Sequence, residues 1–375
     1  MPSASRVIIA AAGGGKTTRI VREAIEESTR KVALVTYTLN NVKVIQDKLY
    51  LLAGAPPPHV EVFSWFSFLL RDLARPYRNA LYDKRIEGLL FVEGRSSIYA
   101  KPSNIEKHYF AAGQLIYSDK IARFACECDK ATNGAVMRRL KQRFDHLYID
   151  EVQDLAGYDL ELVQRMLEAG IQLTMVGDHR QATFTTNNAA KNIGYVRSNI
   201  ILKFEEWCKA GLLELTYETG SYRCQQSIVD LADMFFAKEP KTSSQNMDFT
   251  GHDGVFSIHS AMIDEYVARF SPQVLRLDRR TSCGEHFALN FGESKGMTFE
   301  RVLIFPHKGA VQWLATGDFS KVSRSAAKMY VGITRARSSV TFVFDGQPAV
   351  PGIVPLTAST NLTDIPDQVR PETRV

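Results

Sequence analysis

Two short stretches carry residues whose types and spacing suit phosphoryl chemistry. Ala10 to Thr18 reads AAAGGGKTT, set between the apolar run RVIIA and a helical pattern that begins near Lys16. Successive backbone N–H groups from Ala12 through Gly13, Gly14 and Gly15, followed by a helix N-terminus, attract an anion. Lys16 can then reach terminal phosphates, the Thr17 hydroxyl can ligate magnesium, and Thr18 completes the cradle. The strict pattern asks for Gly six residues before the lysine, and Ala10 stands there instead. The second stretch, LYIDEVQDL from Leu147 to Leu155, ends an apolar run on Asp150 and Glu151 and keeps Gln153 and Asp154 behind them. A strand ending in Asp150 delivers one carboxylate to a magnesium shell, and Glu151 can orient or deprotonate an attacking water. Taken alone, an acidic pair at a strand end serves equally well as a structural cap; with Lys16 upstream the pair points to nucleoside triphosphate hydrolysis.

The elements that must position these groups are legible as alternation. RVIIA, VALVTY and VEVF are each followed by an amphipathic helical pattern, which is the rhythm of a parallel sheet with crossover helices. Between Phe66 and Phe144 that rhythm gives way to mostly helical, basic sequence, then resumes with HLYID and IQLTMVGD. A second set follows: LLELTY, a helix over 225–236, GVFSIHS, PQVLRL, RVLIF, a helix around 326–334 and SVTFVF. The polar stretch 237–251 reads as a linker, and five prolines after Gln347 predict an extended or mobile tail. The expected organisation is a first α/β domain over 1–216 with a helical insertion at about 69–143, a second over 217–346, and a Pro-rich extended tail over 347–375.

Composition narrows the class. The chain has 375 residues, 45% of them hydrophobic, enough for two ordinary cores. No run approaches the roughly 18 to 20 apolar residues of a membrane span, and the N-terminal sequence lacks a signal-peptide pattern, so the expected location is the cytoplasm, with no membrane partner. Five scattered cysteines read as reduced, packed thiols, and the histidines show no metal spacing. The net charge of +5 is mild but uneven: 66–147 holds fifteen Lys/Arg against nine Asp/Glu, with tyrosines interleaved. That surplus suits a phosphate backbone and stacked bases, or simply a solvated face.

Gln153 and Asp154 have no role in simple hydrolysis, and here the ordered motifs matter. DEVQD resembles motif II of the UvrD/Rep-type superfamily 1 helicases, and AAAGGGKT resembles their motif I, including Ala in place of the first Gly. In the family's order follow TYTLNN (36–41, motif Ia), SWFSF (64–68), VGDHRQATF (176–184, motif III), SYRCQQSIVDLA (221–232, motif IV), ESKGMTFERV (293–302, motif V) and MYVGITRAR (329–337, motif VI). The resemblance runs from Ala10 to Arg337. It implies two RecA-like parallel-sheet domains of the P-loop NTPase class, a small mostly helical insertion in the first, and ATP with Mg2+ as cofactors.

Residue by residue, the resemblance implies a hydrolytic core of Lys16, Thr17, Asp150 and Glu151, with Gln181 sensing the terminal phosphate. Tyr222 would stack on the base, and Arg223 and Arg335 would reach the phosphates. Gln153 and Asp154 would couple the nucleotide site to the second domain and to motif III. A single strand would be gripped by stacking on Tyr37, Trp65, Phe66 and Phe184, with Ser64 and Lys295 near the backbone; aromatics at element ends also serve as core residues.

The chain departs from the family at several points. The nine residues before Ala10 carry no adenine-reading glutamine, so ATP over GTP rests on the resemblance. TTNNAAKN follows Phe184 where the family carries a tryptophan and an arginine, which removes one stacking platform. Gly292 and Thr298 hold the motif V positions of a histidine and a glutamate, as in a compact, viral-like branch. The large second-domain insertion has no room between Cys224 and Asn290. The leading expectation is a single-stranded-DNA-stimulated ATPase and translocase, with 3′ to 5′ unwinding of tailed duplex DNA. A second reading, motivated by the short insertions, is a DNA-responsive ATPase subunit that signals to a partner nuclease; short UvrD-like proteins of similar shape occur beside such nucleases in bacterial anti-phage systems such as Gabija. A P-loop kinase would leave Gln181, Tyr222, Arg223 and Arg335 unexplained.

Overall fold

A computed structural model describes residues 4–186, 189–357 and 362–367. By contact the chain divides into two compact units: residues 1–10 with 15–217, and residues 11–14 with 218–375. The first is built on strands β1 (Arg6–Ala10), β2 (Val32–Thr36), β3 (Val60–Ser64), β7 (His146–Ile149), β8 (Gln172–Gly177) and β9 (Glu214–Glu218), in the order β3-β2-β7-β8-β1-β9. The pairs from β3 through β1 are all parallel. Their sequences are near-continuous apolar runs because both faces are covered. Ile8, Ala10, Val32, Leu34, Tyr148 and Val176 pack on one side with the helices Lys16–Glu26 and Leu39–Ala53. Val7, Ile9, Ala33, Val35, Leu147, Ile149, Leu173 and Met175 point to the other core, as a period of two requires.

The segment between β3 and β7 is mostly helical, as the sequence suggests, beginning with the helical turns Trp65–Phe68, Leu69–Ala74 and Arg75–Ala80. It holds a three-stranded sheet of order β4-β6-β5, from β4 (Gly88–Leu90), β5 (Phe110–Ala111) and β6 (Leu115–Tyr117), besides the helices Ile105–Tyr109, Ile121–Ala131 and Ala135–Arg143. Strands of two or three residues are too short for any alternation to register.

The second unit carries the two-residue pair β10 (Gly220–Ser221) and β11 (Ser243–Ser244). Its main sheet, of order β14-β13-β15-β16-β12-β17, comprises β12 (Gly254–Ile258), β13 (Gln273–Arg276), β14 (Ala288–Asn290), β15 (Phe299–Phe305), β16 (Ala336–Val343) and β17 (Val354–Leu356), paired in parallel throughout. Val255, Leu275, Val302, Ile304, Val340 and Phe342 face one core, and Ile258, Val274 and Leu303 the other. Two parallel-sheet α/β domains are thus the architecture expected of a RecA-like P-loop protein. The Pro-rich tail contributes β17, where Pro355 is tolerated because the strand lies at the sheet edge. Farther along, Leu362 is buried and the Arg269 guanidinium donates to Ile365 O; residues 358–361 and 368–375 of that tail lie outside the described residues. No helix among the described residues is long and apolar enough to cross a membrane.

Candidate nucleotide and nucleic-acid site

In open α/β sheets ligands bind beyond the carboxyl ends of the strands. In the first unit β1, β8 and β7 are neighbours, so their carboxyl ends bring Lys16, the Asp178–Gln181 turn and Asp150 to one place. Lys16 leaves β1 as the first residue of its helix, with its Nζ 3.2 Å from Ala10 O. The Thr17 hydroxyl donates to Asp150 Oδ2 at 2.8 Å. Asp150 is 3% exposed; burial and the neighbouring Glu151 charge push its carboxyl above the ordinary range, while Thr17 and Lys16 oppose that. A buried carboxylate and a hydroxyl oxygen, both hard oxygen donors, fit a magnesium ion.

Glu151 adopts φ 56°, ψ 40°, a left-handed conformation that costs a non-glycine residue energy and is concentrated at functional positions. Its N–H donates to Asp150 Oδ1 at 3.0 Å. The Gln153 amide donates to Glu151 Oε2, and Gln153 Oε1 accepts from the Asp178 N–H at 3.1 Å. Gln153 therefore ties the acidic pair to the end of β8. Space for it exists because residue 177 is glycine: a Cβ there would lie 2.3 Å from Gln153 Oε1.

The turn after β8 is a buried polar cluster. Arg180 Nε donates to Asp178 Oδ1 and Gln181 Nε2 to Asp178 Oδ2, both at 2.9 Å. Arg180, with Lys16 assisting, holds the Asp178 carboxyl below its usual range despite full burial. Gln181 is thereby fixed against a carboxylate that also feels the Lys16 charge. The sequence reading assigned no role to Asp178, Arg180 or Gly177, although VGD at a strand end was the available signal.

The carboxyl ends of β2 and β3 carry the aromatic candidates. The rings of Tyr37 and Phe66 lie 5.6 Å apart, those of Tyr37 and Phe184 5.4 Å apart. Tyr37 and Phe184 are half-buried and Phe66 is buried. Phe91, from the insertion just after β4, packs edge-on against Phe66 at 5.2 Å and is 68% exposed; sequence reasoning missed it. Trp65 differs from the stacking expectation: at 1% exposure it is a core residue, and its Nε1 donates to Asp159 Oδ1 at 2.9 Å. The half-buried Ser64 caps the short helix that Trp65 begins, accepting from the Ser67 N–H.

In the second unit, residues 11–14 pack with 218–223. Ala11 N donates to Glu218 O, Ser221 Oγ to Ala12 O and Tyr222 N to Gly13 O, at 3.0, 2.7 and 3.0 Å. Gly13 has φ 74°, and a Cβ on it would sit 2.4 Å from Arg223 Cβ, so glycine is required there. Gly14 N donates back to Ala11 O, and Gly15, at φ 73°, caps the following helix, with Thr18 half-buried in its first turn. Tyr222 presents its ring at 65% exposure. Arg223 Nη1 donates to Thr334 O at 3.1 Å. Arg335, 1% exposed, donates to Val331 O, Met297 O and Thr334 Oγ1. Lys295 is half-buried between Ser294 and the left-handed Gly296.

Comparison with known proteins gives the family. Residues 126–344 match the model of the viral superfamily 1 RNA helicase core domain, and residues 1–187 match that of an AAA domain. Solved structures that resemble the chain include the arterivirus nonstructural protein 10 helicase, 13% identical over 90% of this chain and 59% of that one with a TM-score of 0.46. The arterivirus protein in complex with DNA is 14% identical over 91% and 60%, TM-score 0.45, and the PRRSV helicase 16% over 93% and 55%, TM-score 0.43. The chain therefore spans somewhat more than half the length of these helicases. No curated protein matches it. With the core-domain model covering more than half of its residues, the chain belongs to the superfamily 1 helicases, in the family of the viral RNA helicase core domain.

Proposed function

We propose that the chain is an ATP-driven motor of the UvrD/Rep type that moves along single-stranded DNA and unwinds tailed duplex with 3′ to 5′ polarity. The observation that carries the reading is the run of contacts from Thr17 to Asp150 and from Glu151 through Gln153 and Asp178 to Gln181. Hydrolysis requires an oriented base for the water and positive charge beside the terminal phosphate, and coupling requires a group that senses that phosphate.

Glu151 orients and deprotonates the water, and its strained backbone and the Gln153 amide fix its carboxylate. Lys16 donates to the terminal phosphates. Thr17 and Asp150 would hold Mg2+, which would supply positive charge against the charge developing on the phosphates. Gln181 contacts the terminal phosphate. Arg223 and Arg335 supply planar, permanently cationic donors to the transferred phosphoryl group, and Tyr222 stacks on the base. Tyr37, Phe66, Phe184 and the newly identified Phe91 form a platform for bases, with Ser64 and Lys295 on the backbone.

Strand displacement tests the finer part of this reading. Duplexes with a 3′ or a 5′ single-stranded tail, of DNA and of RNA, are incubated with protein and ATP. Release from the 3′-tailed DNA alone is expected. Release from the 5′-tailed substrate overturns the polarity, and release from RNA alone overturns the polymer. Hydrolysis stimulated by DNA without any strand release favours the ATPase subunit that acts on a partner nuclease.

A further inference from the structure

We propose that Asp159 is a positioning residue that links occupancy of the aromatic platform to the hydrolytic loop, through Trp65 on one side and Thr186 on the other. This inference rests on the proposed motor reading. Asp159 lies in the first turn of the helix Tyr158–Glu168 and is 2% exposed. Burial pushes its carboxyl up to about 6, and the groups that favour its charge are neutral: Thr186, Trp65 and the backbone of Ala156. Such an acid is less stable in a core than an apolar residue of similar size. Packing alone therefore gives no reason for a carboxylate here.

Its two oxygens address two different segments. Oδ1 accepts from Trp65 Nε1 at 2.9 Å, and Trp65 immediately precedes Phe66 in the platform. Oδ2 accepts from Thr186 Oγ1 at 2.5 Å, and Thr186 stands two residues after Phe184, the ring on the other side of Tyr37. Thr186 in turn holds the acidic loop twice. Its Oγ1 accepts from the Ala156 N–H at 3.0 Å, and its N–H donates to Asp154 O at 2.8 Å. Asp154 closes the short helical turn Val152–Asp154 that carries Gln153, the residue bonded to Glu151. Bases that shift Phe66 or Phe184 thus move a group held by the Asp159 carboxylate, and that movement is passed to the loop presenting Glu151. Burial raises the pKa of the Tyr37 phenol, and the charge of the same carboxylate adds to that.

A contiguous path is a claim about coupling and is tested as coupling. Turnover is measured without nucleic acid and with saturating oligo-thymidylate for wild type, Asp159→Asn and Thr186→Val, and binding of a fluorescein-labelled oligo-thymidylate is measured in parallel. Melting curves identify variants that fold, and the two substitutions back each other up. Both variants should keep basal turnover and oligonucleotide affinity close to wild type while stimulation falls about fivefold or more. Thr186→Ser, which keeps the hydroxyl, should restore it. Wild-type stimulation in both variants, or an equal loss of basal and stimulated turnover, overturns the inference while leaving the motor reading intact. A wild type that no nucleic acid stimulates overturns both.

Discussion

At the scale of single residues, the site depends on close approaches that one atom can disturb. Gly177→Ala places a methyl 2.3 Å from Gln153 Oε1 and 2.9 Å from Val152 Cγ1. Gln153 must then leave either the Asp178 N–H or Glu151, so turnover should drop, with an overpacking cost of about 1–3 kcal/mol. Steady-state ATP hydrolysis and urea unfolding check both parts; wild-type turnover in a folded Gly177→Ala protein would show that Gln153 does not position Glu151. Much of this arrangement was readable from short motifs, because Lys16, Thr17, Asp150 and Glu151 each follow an apolar strand in the sequence itself. Asp159 and Phe91 were not readable. Their partners lie in distant segments, Trp65 being 94 residues from Asp159, and no local pattern records such a meeting.

At the scale of elements, strands announced themselves where both faces are buried and stayed hidden where they are brief. VALVT and RVLIF are nearly all apolar, so β2 and β15 could be read directly. ALN and FA, which become β14 and β5, are too short to carry a period. One packing detail between elements has a pH consequence. His252 precedes β12 and stacks between Phe256 and Phe270, at ring separations of 4.3 and 4.2 Å, and its Nε2 meets the Tyr266 hydroxyl at 2.8 Å. Burial, with Arg301 nearby, lowers its pKa from 6.5 to about 4. The folded state keeps this imidazole neutral, whereas the unfolded chain gains a proton as pH falls through 6.5. The stability it contributes is complete above that value and is lost progressively toward pH 4, by about 3 kcal/mol. Thermal midpoints measured from pH 7 to 4.5 should fall, and His252→Gln should flatten part of that slope. An unchanged slope in the variant would place the acid sensitivity elsewhere.

At the scale of the whole molecule, the net charge of +5 is too small to define a polyanion-binding protein. The Lys/Arg surplus over 66–147 concentrates positive charge in the part of the chain that also supplies Phe66 and Phe91. Affinity for a single-stranded oligonucleotide should therefore fall linearly with salt on logarithmic axes. Phe91→Ala should weaken binding by about 1–3 kcal/mol without changing that slope, since stacking releases no counterions. A changed slope with unchanged affinity at low salt would remove Phe91 from the platform.

The central claim, that this chain couples nucleotide hydrolysis to a single strand, is tested most directly by ATP turnover of the purified protein with and without single-stranded DNA. Glu151→Gln serves as the control for contaminating activity, and it should bind nucleotide while turning over about 10²- to 10⁴-fold more slowly. Strong stimulation in wild type, absent from the Glu151→Gln protein, is the predicted result. Equal turnover with and without DNA, or a Glu151→Gln rate equal to wild type, would contradict the account.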